Sequence, residues 1–480
     1  MLFTEATDTS SVTDGILRIP VRRNNLQKQA IMDKRDGSTA PLYNFKGKTY
    51  TIEIGVGTPS QLFNVSLDTG SADLWIPTTN CPVTSCPLAR FDQTKSSSFK
   101  STGQAFSNTY GIGEVNGTYG FDVVTVGGTS LPNQSVGFAS ETREIIDTQT
   151  DGLLGMAWPG MNTIRNRKDS VPFPFNLMQQ NKLAQPIFSV YFNSQFAMGN
   201  VGELILGGID QTKFSGTLAY VPVATYSPTL TGNLFPNLGQ FSGDQGTYIY
   251  WTVPGQAITV PSSSGQPTFS TNFDKLRPFI FDTGTTITYV SDDIIPGILK
   301  ALTQNSSDYR YNFLDQTYRI NCALAKQSNV VEFDLSTSLS NATSNPVKVS
   351  VPIADLIIPI DSNSPDTARA CAFGLAPQPL GTSLSMGNAY ILGDSVLRSV
   401  YQVYDMKNSR IGVAPAKNNP FSWNDTAAAS STSRPGSGRF PTNDPFPFPT
   451  GLGPRSAASK TSISSFVTMG TATLILYILA

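Results

Sequence analysis

Two stretches of this chain carry one pattern. "VSLDTGSADLW" runs from Val65 to Trp75 and "FIFDTGTTITYV" from Phe279 to Val290; in each, an apolar run ends in Asp-Thr-Gly followed by a hydroxyl residue. The two aspartates, Asp68 and Asp282, stand 214 positions apart. A carboxylate behind an apolar strand is costly to bury unless it is paired or used. One such triplet reads as a hydrogen-bonded turn. Two in matching surroundings call for two similar halves that meet where the triplets lie. Gly70 and Gly284 allow a tight backbone reversal at each strand end. Thr69 and Thr283 can bond backbone groups of the opposite copy. The hydroxyls of Ser71 and Thr285 can bond a carboxylate oxygen.

The chain is long enough for two such halves. Its 480 residues exceed one ordinary core, so two domains plus tails are expected. Gly (40) and Pro (33) punctuate short β-branched and aromatic runs, which points to an all-β protein with a few short helices. The best short helix candidate lies around Asn176–Asn181. "GELILGGID" and "YQVYDMKNSRIGVAPA" read as strands, and Thr225–Gly246 as a surface loop. The lobe boundary is placed near Gln195. Net charge is −1, which gives no reason to expect a nucleic-acid partner.

The chain contains no histidine. Ser-His-Asp and Cys-His nucleophiles and H-E-x-x-H zinc sites are thereby excluded, and no cofactor or metal is expected. Acid and base must come from Asp, Glu, Lys or Tyr. Two close carboxylates can supply both, because they share one proton and titrate in two steps. A water held between them can lose a proton to the ionised Asp while the protonated Asp polarises a substrate carbonyl. The product of attack is a tetrahedral diol, and such a site works best in acid.

The ends differ in composition from the middle. Residues 1–35 hold six basic groups, Arg18, Arg22, Arg23, Lys28, Lys34 and Arg35, against four acids, and read as a basic pro-segment released at Lys34-Arg35. No apolar leader precedes it; a start lacking its signal peptide accounts for this, a cytosolic protein being the alternative. Residues 419–460 are rich in Ser, Thr, Pro and Gly and read as a stalk. Residues 461–480 end in "FVTMGTATLILYILA", short for a span of roughly 20 residues. With "SAAS" (Ser456–Ser459) upstream, the pattern is that of a GPI-anchor signal, a tail anchor or buried helix being the alternatives. Asn64, Asn116, Asn133, Asn305, Asn341 and Asn424 head sequons, Asn64 reading as a chance match. Cys81, Cys86, Cys322 and Cys371 fall into an early and a late pair, although two other pairings remain open.

Together the segments "IGVGTPSQ", "SLDTGSADLWIP", "YGIGEVNGTYGFD", "DGLLGMAW", "ELILGGID", "FIFDTGTTITYV" and "YILGDSVLRSVYQVYDMKNSRIGVAPA" resemble a pepsin-type aspartic endopeptidase over about Tyr43–Ala416. Each triplet is followed by an apolar-apolar-Gly segment, Leu153-Leu154-Gly155 and Ile391-Leu392-Gly393, which in the family supports the catalytic loop from below. The resemblance implies a bilobal fold with pseudo-twofold related β lobes at 36–195 and 196–418, acting as a monomer on protein or peptide substrates. It makes Asp68 and Asp282 the catalytic pair, Tyr110 the tyrosine of a flap over the substrate, and Trp75 the tryptophan bonded to it. Gly111, Ile112 and Gly113 fall at the flap tip. It implies disulfides Cys81–Cys86 and Cys322–Cys371, and a pro-segment that acts as inhibitor. The overall pattern is similar to fungal GPI-anchored proteases of the cell surface. Ser66, Ile112 and "ETREIIDTQTDG" depart from the pepsin pattern and bear on substrate choice; Glu141 and Glu144 would favour basic side chains unless they are merely exposed loop acids. A catalytically dead binder and a two-carboxylate glycosidase are the rival readings. The intact triplets and Tyr110 disfavour the first, and the duplicated triplet with a flap disfavours the second.

Overall fold

Alternation along Gln61–Asp68 decides which way the first triplet faces. Phe63, Val65 and Leu67 are buried while Leu62 and Asn64 are exposed, the two-residue period of a strand, and toward the triplet Ser66 and Asp68 on the other face become buried as well. That strand pairs antiparallel with Tyr50–Val56 and parallel with Gly152–Gly155. The second copy is built alike: Phe269–Phe281 pairs antiparallel with Thr252–Val260 and parallel with Tyr390–Leu392. In the first copy Asp68 pairs with Gly155, and in the second Phe281 pairs with Leu392. Each apolar-apolar-Gly segment thus lies beside the strand that delivers its aspartate.

This computed structural model describes residues 11–13, 15–23, 50–110, 113–143, 150–161, 171–195, 200–226, 246–303, 308–313, 315–362, 364–378 and 389–417. Gly111, Ile112, Glu144, Asn305, Asn424, the Lys34-Arg35 pair, residues 419–480 and nearly all of the Thr225–Gly246 loop lie outside them. The fold is all-β and bilobal. A 14-stranded sheet runs from Ala219–Pro222 and the C-terminal hairpin Arg410–Pro415 and Val400–Asp405, through Ile187–Phe192, Asn200–Leu206 and Ile16–Arg23, to the N-terminal lobe. It ends on the long hairpin Lys100–Tyr110 and Gly113–Val126. A 7-stranded sheet leads into the second triplet, and a separate 4-stranded sheet is formed by Tyr309–Asn312, Thr317–Ile320, Cys371–Phe373 and Ile357–Pro359.

Between the lobes the core is aromatic. Trp158 and Trp251 pack at 4.7 Å, and Trp251 also meets Phe188 at 5.6 Å and Tyr404 at 5.0 Å. Burying a large apolar side chain is worth about 1.5–3 kcal/mol. The one polar atom of Trp251 is satisfied, since Nε1 donates to the Met156 carbonyl at 2.9 Å. Met156 follows Gly155, so this bond ties the support of the first triplet to the start of the second lobe.

The short helix begins earlier than the sequence suggests, at Phe173–Gln179 rather than around Asn176–Asn181. Proline is tolerated in a first helical turn, so Pro172 and Pro174 open the helix instead of preceding it. Asn181 adopts φ 53° and stops it. A second helix, Ile295–Thr303, buries Ile295, Ile298, Leu299 and Leu302, one apolar stripe at helical spacing.

The described part of the N-terminal segment is a hairpin of the large sheet, Ser11–Thr13 pairing antiparallel with Ile16–Arg23. Ile16–Arg23 lies antiparallel to both Asn200–Leu206 and Tyr50–Val56, with Leu17, Ile19 and Val21 buried. Arg18 Nη1 reaches Asp210 at 2.8 Å and Glu203 at 3.3 Å.

Candidate active site

Each triplet closes on itself in the same way. Asp68 Oδ1 accepts from the Gly70 N–H at 2.7 Å, and Asp68 Oδ2 accepts from the Ser71 hydroxyl in a short bond. Asp282 Oδ1 accepts from the Gly284 N–H at 2.8 Å, and Asp282 Oδ2 from the Thr285 hydroxyl at 2.7 Å. The copies are then laced together. The Thr69 N–H donates to the Thr283 hydroxyl at 3.1 Å and the Thr283 N–H to the Thr69 hydroxyl at 3.0 Å. Each hydroxyl donates onward, Thr69 to the Phe281 carbonyl at 2.7 Å and Thr283 to the Leu67 carbonyl at 2.9 Å.

The lacing presses each glycine against the opposite aspartate. A Cβ on Gly70 would come within 2.5 Å of Asp282 Cγ, and one on Gly284 within 2.4 Å of Asp68 Oδ1. Only glycine lets the two carboxyl groups approach so closely. Burial pushes the Asp68 carboxyl well up, and the charge of Asp282 pushes it further. Burial also raises Asp282, opposed by the Thr285 and Gly284 hydrogen bonds. The pair therefore holds a proton more firmly than two free carboxylates would.

The long hairpin brings Tyr110 to the same region. The Trp75 indole N–H donates to the Tyr110 hydroxyl at 3.0 Å, with ring centroids 6.5 Å apart. Burial, then the charge of Asp73, raises the Tyr110 hydroxyl far above its usual value, so it stays protonated. Gly113 opens the return strand beyond the turn. Cys81–Cys86 closes a loop after the Trp75 strand, and Cys322–Cys371 ties the 4-stranded sheet. Ser66 is buried two residues before Asp68. Glu141 is exposed and its charge is met by Arg143 at 3.0 Å, which also reaches Glu114 at 3.2 Å. Asn64, Asn133 and Asn341 are exposed and Asn116 is half-buried; the exposure of Asn64 follows from its place on the outer face of its strand.

Two features were not legible in advance. Tyr250 feels the charge of both Asp282 and Asp68, after burial as the larger cause of its raised hydroxyl; the aromatic run "YIYW" held the signal. Asp73, Asn108 and Tyr119 form a polar cluster behind Tyr110. Asp73 follows the first triplet in sequence, but Asn108 and Tyr119 reach it only because the hairpin folds over.

Two β lobes joined at paired, mutually bonded Asp-Thr-Gly loops define an aspartic-type endopeptidase. The chain belongs to the eukaryotic aspartyl protease family, whose model matches residues 49–416. It is 29% identical over 393 residues to mucorpepsin of Rhizomucor miehei, covering 79% of this chain and 81% of that protein. It is 29% identical over 432 residues to cathepsin E-A of Xenopus laevis (84% and 94%) and 29% over 373 residues to gastricsin of Homo sapiens (76% and 81%).

Proposed function

We propose that Asp68 and Asp282 are the catalytic pair of this endopeptidase and act on protein substrates in acid. The observation that carries this reading is the close approach of the two carboxyl groups, each seated in its own glycine N–H and hydroxyl and each touching the glycine of the other copy. The pair retains one proton. Its ionised member takes a proton from a bound water as the water oxygen attacks the scissile carbonyl carbon. Its protonated member gives a proton to the carbonyl oxygen. The tetrahedral diol then collapses: the newly protonated member gives its proton to the leaving nitrogen, the other takes one from a diol hydroxyl, and the C–N bond breaks, which returns the pair to its singly protonated state. The upward shift of Asp68 supports retention of the shared proton in acid, and activity falls as that proton is lost with rising pH. Thr69, Gly70, Ser71, Thr283, Gly284 and Thr285 hold the pair. Tyr110, with Gly111, Ile112 and Gly113 at the hairpin tip and Trp75 behind, closes over the peptide.

Residues 36–195 and 196–418 are read as the two lobes, and 1–35 as a pro-segment that inhibits until acid loosens its ion pairs. The Ser/Thr/Pro/Gly-rich stretch 419–460 and the apolar tail 461–480 are read as a stalk and a GPI signal placing the enzyme at the cell surface. Release from cells by a phosphatidylinositol-specific phospholipase is expected; retention with the apolar tail still attached would overturn the anchor. The catalytic assignment is tested by acid digestion of a denatured protein, with and without pepstatin, by wild type and Asp282→Asn. Wild-type activity is expected to be blocked by pepstatin and the variant to be inactive; a variant as active as wild type would overturn the assignment.

A further inference from the structure

The Tyr110 hydroxyl is held from behind. Its oxygen accepts from Trp75 Nε1 at 3.0 Å and from Asn108 Nδ2 at 3.3 Å. A phenol oxygen has two acceptor positions and one proton. With both acceptor positions engaged, the proton points away from these donors.

Asn108 Nδ2 also donates to Asp73 Oδ2 at 3.0 Å, and the Tyr119 hydroxyl donates to that same oxygen at 3.4 Å. Asp73 and Asn108 are buried beside an apolar cluster of Trp75, Phe106, Val115 and Tyr119. Packing alone would favour apolar residues there, since a buried carboxylate carries a large desolvation cost. The amide of Asn108 is turned so that both its N–H groups are used, while its buried Oδ1 has no partner among the described residues. Orientation toward Asp73 and Tyr110 is thus kept against a local penalty.

The positions of the three residues give the cluster its meaning. Asp73 belongs to the first triplet's loop, and its carbonyl accepts from the Gly155 N–H at 3.0 Å, the glycine paired with Asp68. Asn108 lies on the outgoing strand of the long hairpin and Tyr119 on the returning strand. One carboxylate therefore fastens both strands of the hairpin to the loop that carries Asp68.

We propose that Asp73 is a positioning residue for the hairpin: through Asn108 it fixes the Tyr110 hydroxyl with its proton directed to the bound peptide. This rests on the reading that Tyr110 closes over substrate. The gain lies in preorganisation, because a hydroxyl already oriented needs no rearrangement when peptide binds.

The test is a double-mutant cycle on kcat and KM with a peptide substrate. Asn108→Ala and Tyr119→Phe are each placed in the wild type and in Tyr110→Phe. Asn108→Ala should lower kcat/KM about 10-fold, chiefly through kcat, within the range of coupling found inside one hydrogen-bond network. In the Tyr110→Phe background it should change kcat/KM less than about 2-fold. Tyr119→Phe keeps the ring and its packing, so it reports the hydroxyl even if Asn108→Ala folds poorly; it should show the same dependence on Tyr110 with a smaller loss. Equal losses in both backgrounds would overturn the proposal and leave Tyr110 its role. A Tyr110→Phe enzyme as active as wild type would overturn the reading beneath it as well.

Discussion

Thr69 and Thr283 grip each other across the lobe interface, each backbone N–H donating to the other's hydroxyl. Each hydroxyl passes its own proton to a carbonyl of the opposite segment. The distance between the two aspartates is therefore set by backbone groups on both sides, bridged by two stiff β-branched side chains. Isosteric Thr69→Val or Thr283→Val fills the space but leaves a buried N–H and a buried C=O without partners. At about 1–3 kcal/mol per unmatched group, each variant should lose roughly 2–6 kcal/mol. The double variant should lose less than the sum, because the four bonds form one ring. Urea unfolding of the three variants checks this, and Thr→Ser at either position should restore most of the loss.

Gly70 and Gly284 give a sharper test of closeness. A methyl group at either position would lie within 2.6 Å of the opposite carboxyl group. Gly70→Ala should push the aspartates apart and lower kcat by about 100-fold or more, as displacement of about 1 Å does at a site that depends on orientation. It should also weaken the charge of Asp282 felt at Asp68, which raises the Asp68 carboxyl. The basic limb of the pH–rate profile is then expected to move to lower pH. A limb that stays in place while activity falls would mean the pair is not coupled through space.

Stability should carry the same signature. Burial, then the charge of Asp282, raises Asp68 in the folded state above its unfolded value. A carboxyl raised on folding binds more protons folded than unfolded, so stability grows as pH falls through the folded-state value toward the unfolded one. Asp282→Asn removes the second cause and should make the enzyme more stable at pH 7 while flattening its gain on acidification. Thermal melting at pH 7 and pH 4 reads both effects. A wild type that loses more stability in acid than the variant would contradict the raised Asp68.

What the sequence makes legible follows from how local each feature is. The aspartates, the hydroxyls after them and the strands before them are neighbours in the chain, and both triplets meet as their repetition suggests. The Phe173–Gln179 helix begins ahead of the expected Asn176–Asn181 because Pro172 and Pro174 sit where a first helical turn tolerates proline. Tyr250 and the Asp73–Asn108–Tyr119 cluster stay hidden for a different reason: their partners are distant in sequence and meet only through the hairpin and the lobe interface. The N-terminal strand falls between these cases. Its alternation of Leu17, Ile19 and Val21 is plain, but its place between two other strands is a property of the whole sheet.

That strand supplies a last expectation, in which the sign matters. Arg18 binds two carboxylates, and they respond oppositely to acid. Burial raises Glu203, with the charge of Arg18 opposing, so its protonation favours the folded form as pH falls. At Asp210 burial also acts upward, but hydrogen bonds from Thr212 and Arg18 prevail and hold the carboxyl below its ordinary value. Its contribution is present above the unfolded value and is lost as pH falls through the folded one. Acid loosening of Ile16–Arg23 should therefore run through Asp210. Amide hydrogen exchange of that strand, corrected for intrinsic rates, should lose protection on acidification in the wild type and in Glu203→Gln. In Asp210→Asn, protection should be low at neutral pH and nearly flat with pH. Loss of the pH dependence in Glu203→Gln instead would assign the acid response to Glu203 and overturn the expectation for Asp210.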